Sequence, residues 1–152
     1  MVRDDEIAAL TQLRLERVAK SRPRGDLWEF LKRAYEKGVK VDAGHLIILS
    51  VLEEANRLLD QLSQAVGEKK AKQILKEAGI YTRSGNYVSG ELLKEFINRE
   101  SRVAVHNRVK DLRKMGFKID GKPGPDGGYA LVQVPEWYRR SVRSGSKESE
   151  RG

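Results

Sequence analysis

Apolar residues recur at spacings of three and four from the start of the chain to about residue 116, and a spacing of two takes over only beyond it. Over residues 4–20, Ile7, Leu10 and Leu13, with Leu15 or Val18, form an apolar edge, and acids at the start and bases at the end match a helix dipole. SRPRG at 21–25 breaks the pattern and reads as a linker, with a basic arm touching phosphate as the alternative. Asp26 caps a second helix, LWEFLKRAYEKG, with Leu27, Phe30, Leu31 and Ala34 on its buried side and Gly38 at its end. Trp28 and Tyr35 lie on or beside that side and read as packing residues rather than as a platform for bases. Asp42 opens the longest helix, 43–66, where Ile48, Leu52, Ala55, Leu59, Leu62 and Val66 alternate in steps of four and three. That alternation is the seam of a coiled coil or bundle. Leu46, Leu49, Val51 and Leu58 widen it, so the helix must be covered on more than one side. Either the N-terminal helices fold over it or a second copy does. The scarcity of other helices favours a homodimer interface through the six seam residues. His45, near the helix start, reads as an exposed or core-edge residue.

After Gly67, EKKAKQILKEAG places Ala71, Ile74, Leu75 and Ala78 on one side of a further helix. IYTRSGNYVSG, with turn residues at 84–86, reads as a short strand and turn. Ser89 then caps a helix over 90–98 that buries Leu92, Leu93, Phe96 and Ile97. A few residues on, Ser101 caps another helix, RVAVHNRVKDLRK, with Val105, Val109 and Leu112 as its apolar stripe and Gly116 at its end. Its opposite side carries Val103, Asn107, Lys110 and Lys114, with His106 beside them and Arg102 projecting from the first turn. Two short helices joined so tightly, the second basic outside, are a helix-turn-helix. In FKIDGKPGPDGGYALV, Phe117 and Ile119 alternate with polar residues, as do Tyr129 and Leu131 across a Gly/Pro-rich loop. That is a hairpin, and a hairpin directly after a recognition helix is a wing.

Charge sharpens the picture. Thirty Lys and Arg against 22 Asp and Glu leave a formal charge of +8. Residues 1–80 hold 15 basic and 13 acidic groups, net +2, and residues 81–152 hold 15 and 9, net +6. The basic surplus therefore sits with the helix-turn-helix and points to a polyanion, most simply nucleic acid. The absence of cysteine excludes disulfides, thiolate zinc sites and a Cys nucleophile, and two histidines 61 positions apart argue against a His-based metal site. No secretory signal or membrane span is legible, so the expectation is a soluble, cytoplasmic protein without cofactor. The highly charged, cysteine-free composition would also suit a thermophile.

GNYVSGELLKEFINRESRVAVHNRVKDLRKMGFKI followed by GGYAL resembles the winged helix-turn-helix at the N-terminus of the biotin operon repressor and related regulators. The resemblance covers about residues 69–132 and implies a three-helix core with a wing, the helix from Ser101 lying in the major groove and the 120–128 hairpin near the minor groove or phosphates. Carried over by position, Ser101, Arg102, Val103, His106, Asn107 and Lys110 would face the bases. The wing here is longer, through Pro123, Gly124, Pro125, Asp126, Gly127 and Gly128, and only about 20 residues follow it. No biotin-binding or ligase domain is expected in that length, so neither that activity nor that corepressor is carried over.

The expected fold class is mainly α with a small β wing: a helical, coiled-coil-like dimerisation region over 1–67, a winged helix-turn-helix over 68–134, and a basic tail over 135–152. In that tail Val134, Trp137 and Tyr138 can pack back on the core, while Arg139, Arg140 and Arg143 add charge. The expected function is sequence-specific binding of double-stranded DNA by a homodimeric transcriptional regulator. Arg102, Asn107 and Lys110 suit base edges, Arg or Lys to guanine and Asn to adenine. Ser89, Arg99, Arg108, Arg113, Lys114, Lys118 and Lys122 suit the phosphate backbone. The competing expectation is a protein-docking winged helix that engages transcription or replication machinery through its apolar N-terminal helices. RNA binding is weaker, because no sheet carries aromatics for base stacking. An enzyme is weakest: Glu53, Glu54 and Asp60 lie on a helix with no nucleophile or phosphate loop beside them, and GKPGPDGG lacks the G-x-x-x-x-G-K-[ST] order.

Overall fold

The computed structural model describes residues 3–21, 25–83, 85–98 and 101–139. Its elements run α1 (Asp4–Ala19), α2 (Leu27–Glu36), α3 (Ala43–Val66), α4 (Glu68–Glu77), β1 (Val88–Ser89), α5 (Gly90–Phe96), α6 (Arg102–Lys114), β2 (Lys118–Lys122) and β3 (Gly128–Gln133). Each helix and each arm of the hairpin lies where the apolar spacing puts it. The N-caps are those the sequence offers: Asp26 accepts from the Glu29 amide, Asp42 from His45, Ser89 from Leu92 and Ser101 from Ala104.

α3 is the axis of the molecule. α1, α4, α5, α6 and β3 all pack against it, and Ile48, Leu49, Val51, Leu52 and Ala55 are completely buried within this one chain. A single hydrophobic cluster runs from Leu15 of α1 through α3 to Leu112, Phe117 and Tyr138. Ile48, Leu52 and Ala55, half of the seam read as a dimer interface, therefore have no surface to offer a second copy. Leu59 and Leu62 are partly buried against the same core, and Val66 is half-buried at the helix end. Helices of the winged-helix part supply the missing cover, and one-dimensional spacing does not reveal that source.

α1 buries a face centred away from the expected Leu10 and Leu13, whereas α2 buries the expected Phe30 and Ala34 but not Leu31. In α1 the inward residues are Thr11, Leu15 and Ala19, while Leu10 and Leu13 face solvent. The polar Thr11 is tolerated inside because its hydroxyl donates to the Ala8 carbonyl at 2.7 Å. In α2 only Phe30 and Ala34 are buried; Trp28, Leu31 and Tyr35 are 76, 42 and 87% exposed. Neither aromatic is a packing residue within the chain.

β1, β3 and β2 form an antiparallel sheet in that order, with Val88 opposite Tyr129 and Ile119 opposite Leu131. Tyr81 bridges Val88 before the sheet proper begins. Residues 136–139 make a helical turn that returns to the core. There the Phe117 ring meets Trp137 edge-on at 5.9 Å, Tyr138 at 5.4 Å and Phe30 at 6.0 Å. Val134 also packs against this cluster, and the Tyr138 hydroxyl donates to Glu53 of α3 at 2.7 Å. Among the described residues no helix is long and apolar enough to cross a membrane. Arg22 and Arg24 of the proposed arm, Ser84 of the turn, Arg99, and Arg140 and Arg143 of the tail lie outside the described residues.

Candidate nucleic-acid interface

α6 forms because Ser101 starts it and a strict inward stripe holds it: Val105, Val109 and Leu112 are each 0% exposed. The stripe turns the opposite face outward. Val103 is 64% exposed there, and Ser101, His106, Asn107, Lys110 and Lys114 are exposed beside it. The side chains of Asn107, Lys110 and Lys114 make no hydrogen bond or ion pair with any described residue, and neither do those of Lys118 and Lys122 on the wing. This leaves a helix face with a methyl-bearing side chain, an amide and ammonium groups that the protein does not satisfy internally. Such groups can read base edges or neutralise phosphates.

The arginines behave differently. Arg102, expected on a base edge, reaches backward: its guanidinium donates to the Gly124, Pro125 and Gly127 carbonyls of the wing at 3.2, 3.4 and 3.5 Å. It also donates to Glu91 of α5 at 3.3 Å. A Cβ on Gly90 would stand 2.6–2.7 Å from that guanidinium, so glycine at the start of α5 makes room for the clamp. Arg113, expected on phosphate, donates twice to the Ile119 carbonyl, at 2.9 and 2.7 Å. One arginine near each end of α6 thus grips the wing, at its tip and near its root. The Gly/Pro-rich wing is a held structure, and the loss of those carbonyls as acceptors for water is offset by charge-assisted bonds.

Arg108, also expected on phosphate, is a positioning residue. Its Nε and Nη2 donate to the two carboxylate oxygens of Asp42 at 3.0 and 2.6 Å, a bidentate pair, and Nη1 donates to the Ala104 carbonyl. This guanidinium holds the Asp42 carboxyl well below the usual carboxylate range, with His45 adding in the same direction and partial burial opposing. Gly44 permits the geometry, since a Cβ there would overlap the Arg108 side chain. Next to it His45 is buried, not peripheral. Its Nδ1 lies 3.1 Å from the Asp42 amide, which donates to it, and its Nε2 lies 2.8 Å from Asp111 of α6. Asp42, His45, Arg108 and Asp111 together lock the start of α3 to the middle of α6. Sequence reasoning missed this lock. One trace was visible: Asp111 is the lone acid in the basic run RVAVHNRVKDLRK.

Two further groups fall on the same side. Tyr129 of β3 is partly buried and its hydroxyl lies 3.3 Å from His106 Nδ1. Burial raises the Tyr129 phenol, partly opposed by Arg102 and Arg113. Ser89 uses its hydroxyl on the Leu92 amide and pairs with Gly128 in the sheet. Ser101 spends its own hydroxyl on the Ala104 amide while remaining exposed. No cluster of metal-binding side chains occurs among the described residues.

A tight helix pair, an exposed second helix and an antiparallel wing define a winged helix-turn-helix. In agreement, the family model described as an HTH domain matches residues 70–130. The chain belongs to the same family as the uncharacterised protein MJ1005 of Methanocaldococcus jannaschii, to which it is 50% identical over 115 residues, covering 76% of this chain and 88% of that one. That alignment is longer than the helix-turn-helix itself, so the likeness extends beyond the winged helix. No solved structure matches the chain.

Proposed function

We propose that this protein is a sequence-specific double-stranded DNA-binding regulator of transcription that acts as a homodimer on an inverted repeat. α6 enters the major groove, and the wing lies along the backbone or the adjacent minor groove. The observation that carries the reading is the outward face of α6, exposed and unpaired opposite a completely buried stripe. Asn107 and Lys110 are the groups for base edges, Asn to adenine and Lys to guanine, and Val103 suits a thymine methyl. His106, steadied by Tyr129, and Ser101 lie at the margin of the same face. Lys114, Lys118 and Lys122 serve the phosphates. Arg102, Arg108 and Arg113 contribute mainly by orienting α6 and the wing, and their remaining donors and charge add to the field. The docking alternative, through the apolar N-terminal helices, is left without the buried face of α3, and the apolar side chains it can still use are those that α1 and α2 turn to solvent.

The test is selection from random duplex DNA at about 50 and 200 mM salt. An enriched inverted repeat with a steep salt slope is expected, and binding without enrichment would sink sequence specificity. Asn107→Ala or Lys110→Ala should cost about 1–3 kcal/mol on the selected site and relax preference at one position. Lys118→Ala or Lys122→Ala should weaken all sequences alike and lower the salt slope by roughly one phosphate's worth.

A further inference from the structure

The two shoulders of α6 are held by different partners, and only one of them is the wing. At about 100° per residue, Arg102, His106 and Arg113 lie to one side of the outward face, and Arg108 and Asp111 lie to the other. The first shoulder meets the wing, through the Gly124 and Ile119 carbonyls and the Tyr129 hydroxyl. The second meets the start of α3, through Asp42 on Arg108 and His45 on Asp111. The connection that leads into α3, residues 37–42, is thereby drawn up to the flank of α6 that faces away from the wing.

Burial alternates along this connection. Val39 is buried and its amide donates to the Ala34 carbonyl at 2.8 Å. Val41 packs against the core, while Lys40 and Asp42 are exposed. The two valines fix the backbone and turn Lys40 outward together with Asp42, no more than about 7 Å away along the chain. The Asp42 carboxylate is engaged by Arg108 and the His45 amide. The Lys40 ammonium makes no hydrogen bond or ion pair with any described residue. An exposed lysine is most often a solvated charge. This one stands on an anchored segment beside α6, as Lys118 and Lys122 do on the opposite flank.

Groove dimensions indicate what Lys40 meets. A helix with its side chains is about 10–12 Å across, and the major groove is about 12 Å wide. A helix seated there has a phosphate backbone at each shoulder. We propose that the α2–α3 connection is a second phosphate-contacting arm, in which Lys40 engages the DNA backbone that borders α6 opposite the wing. The proposal rests on the DNA-binding reading above and brings the N-terminal helices into it. A contact of this kind sets register and affinity without reading sequence.

The experiment titrates the full chain with duplex DNA of random sequence at about 50 and 200 mM salt. Lys40→Ala should shrink the ratio of the two affinities about threefold, one phosphate's worth, and Lys40→Arg should restore it. The chain has no cysteine, so Lys40→Cys and Lys122→Cys each provide a single thiol for an iron–EDTA cleavage reagent. On the selected duplex, cuts from positions 40 and 122 should fall on opposite borders of the groove that α6 occupies. An unchanged salt ratio for Lys40→Ala, or cuts from both positions on one border, would overturn the proposal and leave the functional reading standing. Binding without an enriched sequence would remove specificity alone, and the salt ratio would still decide this contact. A wild-type chain that does not bind duplex DNA would overturn both.

Discussion

Asp42 shows how much one side chain decides in this molecule. Its carboxylate caps α3, holds Arg108 in a bidentate grip and neighbours the His45 ring. Because its folded-state ionisation lies below the ordinary carboxylate range, the unfolded chain takes up a proton first as pH falls. Its contribution to stability is therefore complete above that range, declines as pH drops below about 4, and is gone only once the folded state is also protonated. Asp42→Asn keeps a competent cap but removes the charge. The variant should be less stable at neutral pH, and its stability should fall less steeply than wild type below pH 4. Urea melts across a pH series measure this, and an unchanged slope would show that the Arg108 pair has no energetic weight. Asp42 was legible as a cap in the sequence. Its partners were not, since Arg108 and Asp111 lie 66 and 69 positions away.

Among the elements, the wing departs furthest from what its composition suggests. GKPGPDGG has only two exposed prolines as apolar side chains, yet arginines from α6 engage the wing at its tip and at the strand leading into it. With α6 and the wing tied together, their cations stand in fixed register, and such preorganisation lowers the ordering cost of any ligand they bind. Arg102→Ala should release the wing tip while leaving the hydrophobic core intact. Amide exchange at Gly127 and Gly90, whose N–H groups donate to the Gly124 and Gly127 carbonyls, should accelerate roughly tenfold or more. Exchange in α3 should not move. Equal acceleration in both regions would mean that the clamp supports global stability rather than the wing.

For the molecule as a whole, the consequence of a central α3 is cooperativity. The helices before residue 67 and the elements after it share one hydrophobic cluster, so thermal unfolding should be a single transition with no separate melting of a winged-helix part. Leu52→Ala removes a side chain with 0% exposure, and should cost about 2–5 kcal/mol through lost burial and a residual cavity. Calorimetry should show one transition shifted down in temperature. Two resolved transitions would indicate that the N-terminal helices and the winged helix fold independently.

Periodicity was enough to read six helices, a hairpin and the outward face of α6, because a helix or strand must turn its apolar positions toward something whatever that something is. The buried stripe of Val105, Val109 and Leu112 and the exposed Asn107 and Lys110 follow from that rule alone. Long-range packing decided the rest. The seam at Ile48, Leu52 and Ala55 is consistent with another chain or with this one, and only the packing of α1, α4, α5, α6 and β3 around α3 selects the latter. Trp28 and Tyr35 qualify for a core by composition, yet α2 is held by Phe30 and Ala34 and turns both aromatics outward. Arg102, Arg108 and Arg113 carry the same charge as the lysines that remain free, but on a planar fork with more donors. They are held because wing carbonyls and the Asp42 carboxylate lie within hydrogen-bond reach, and that proximity exists only once the chain has folded.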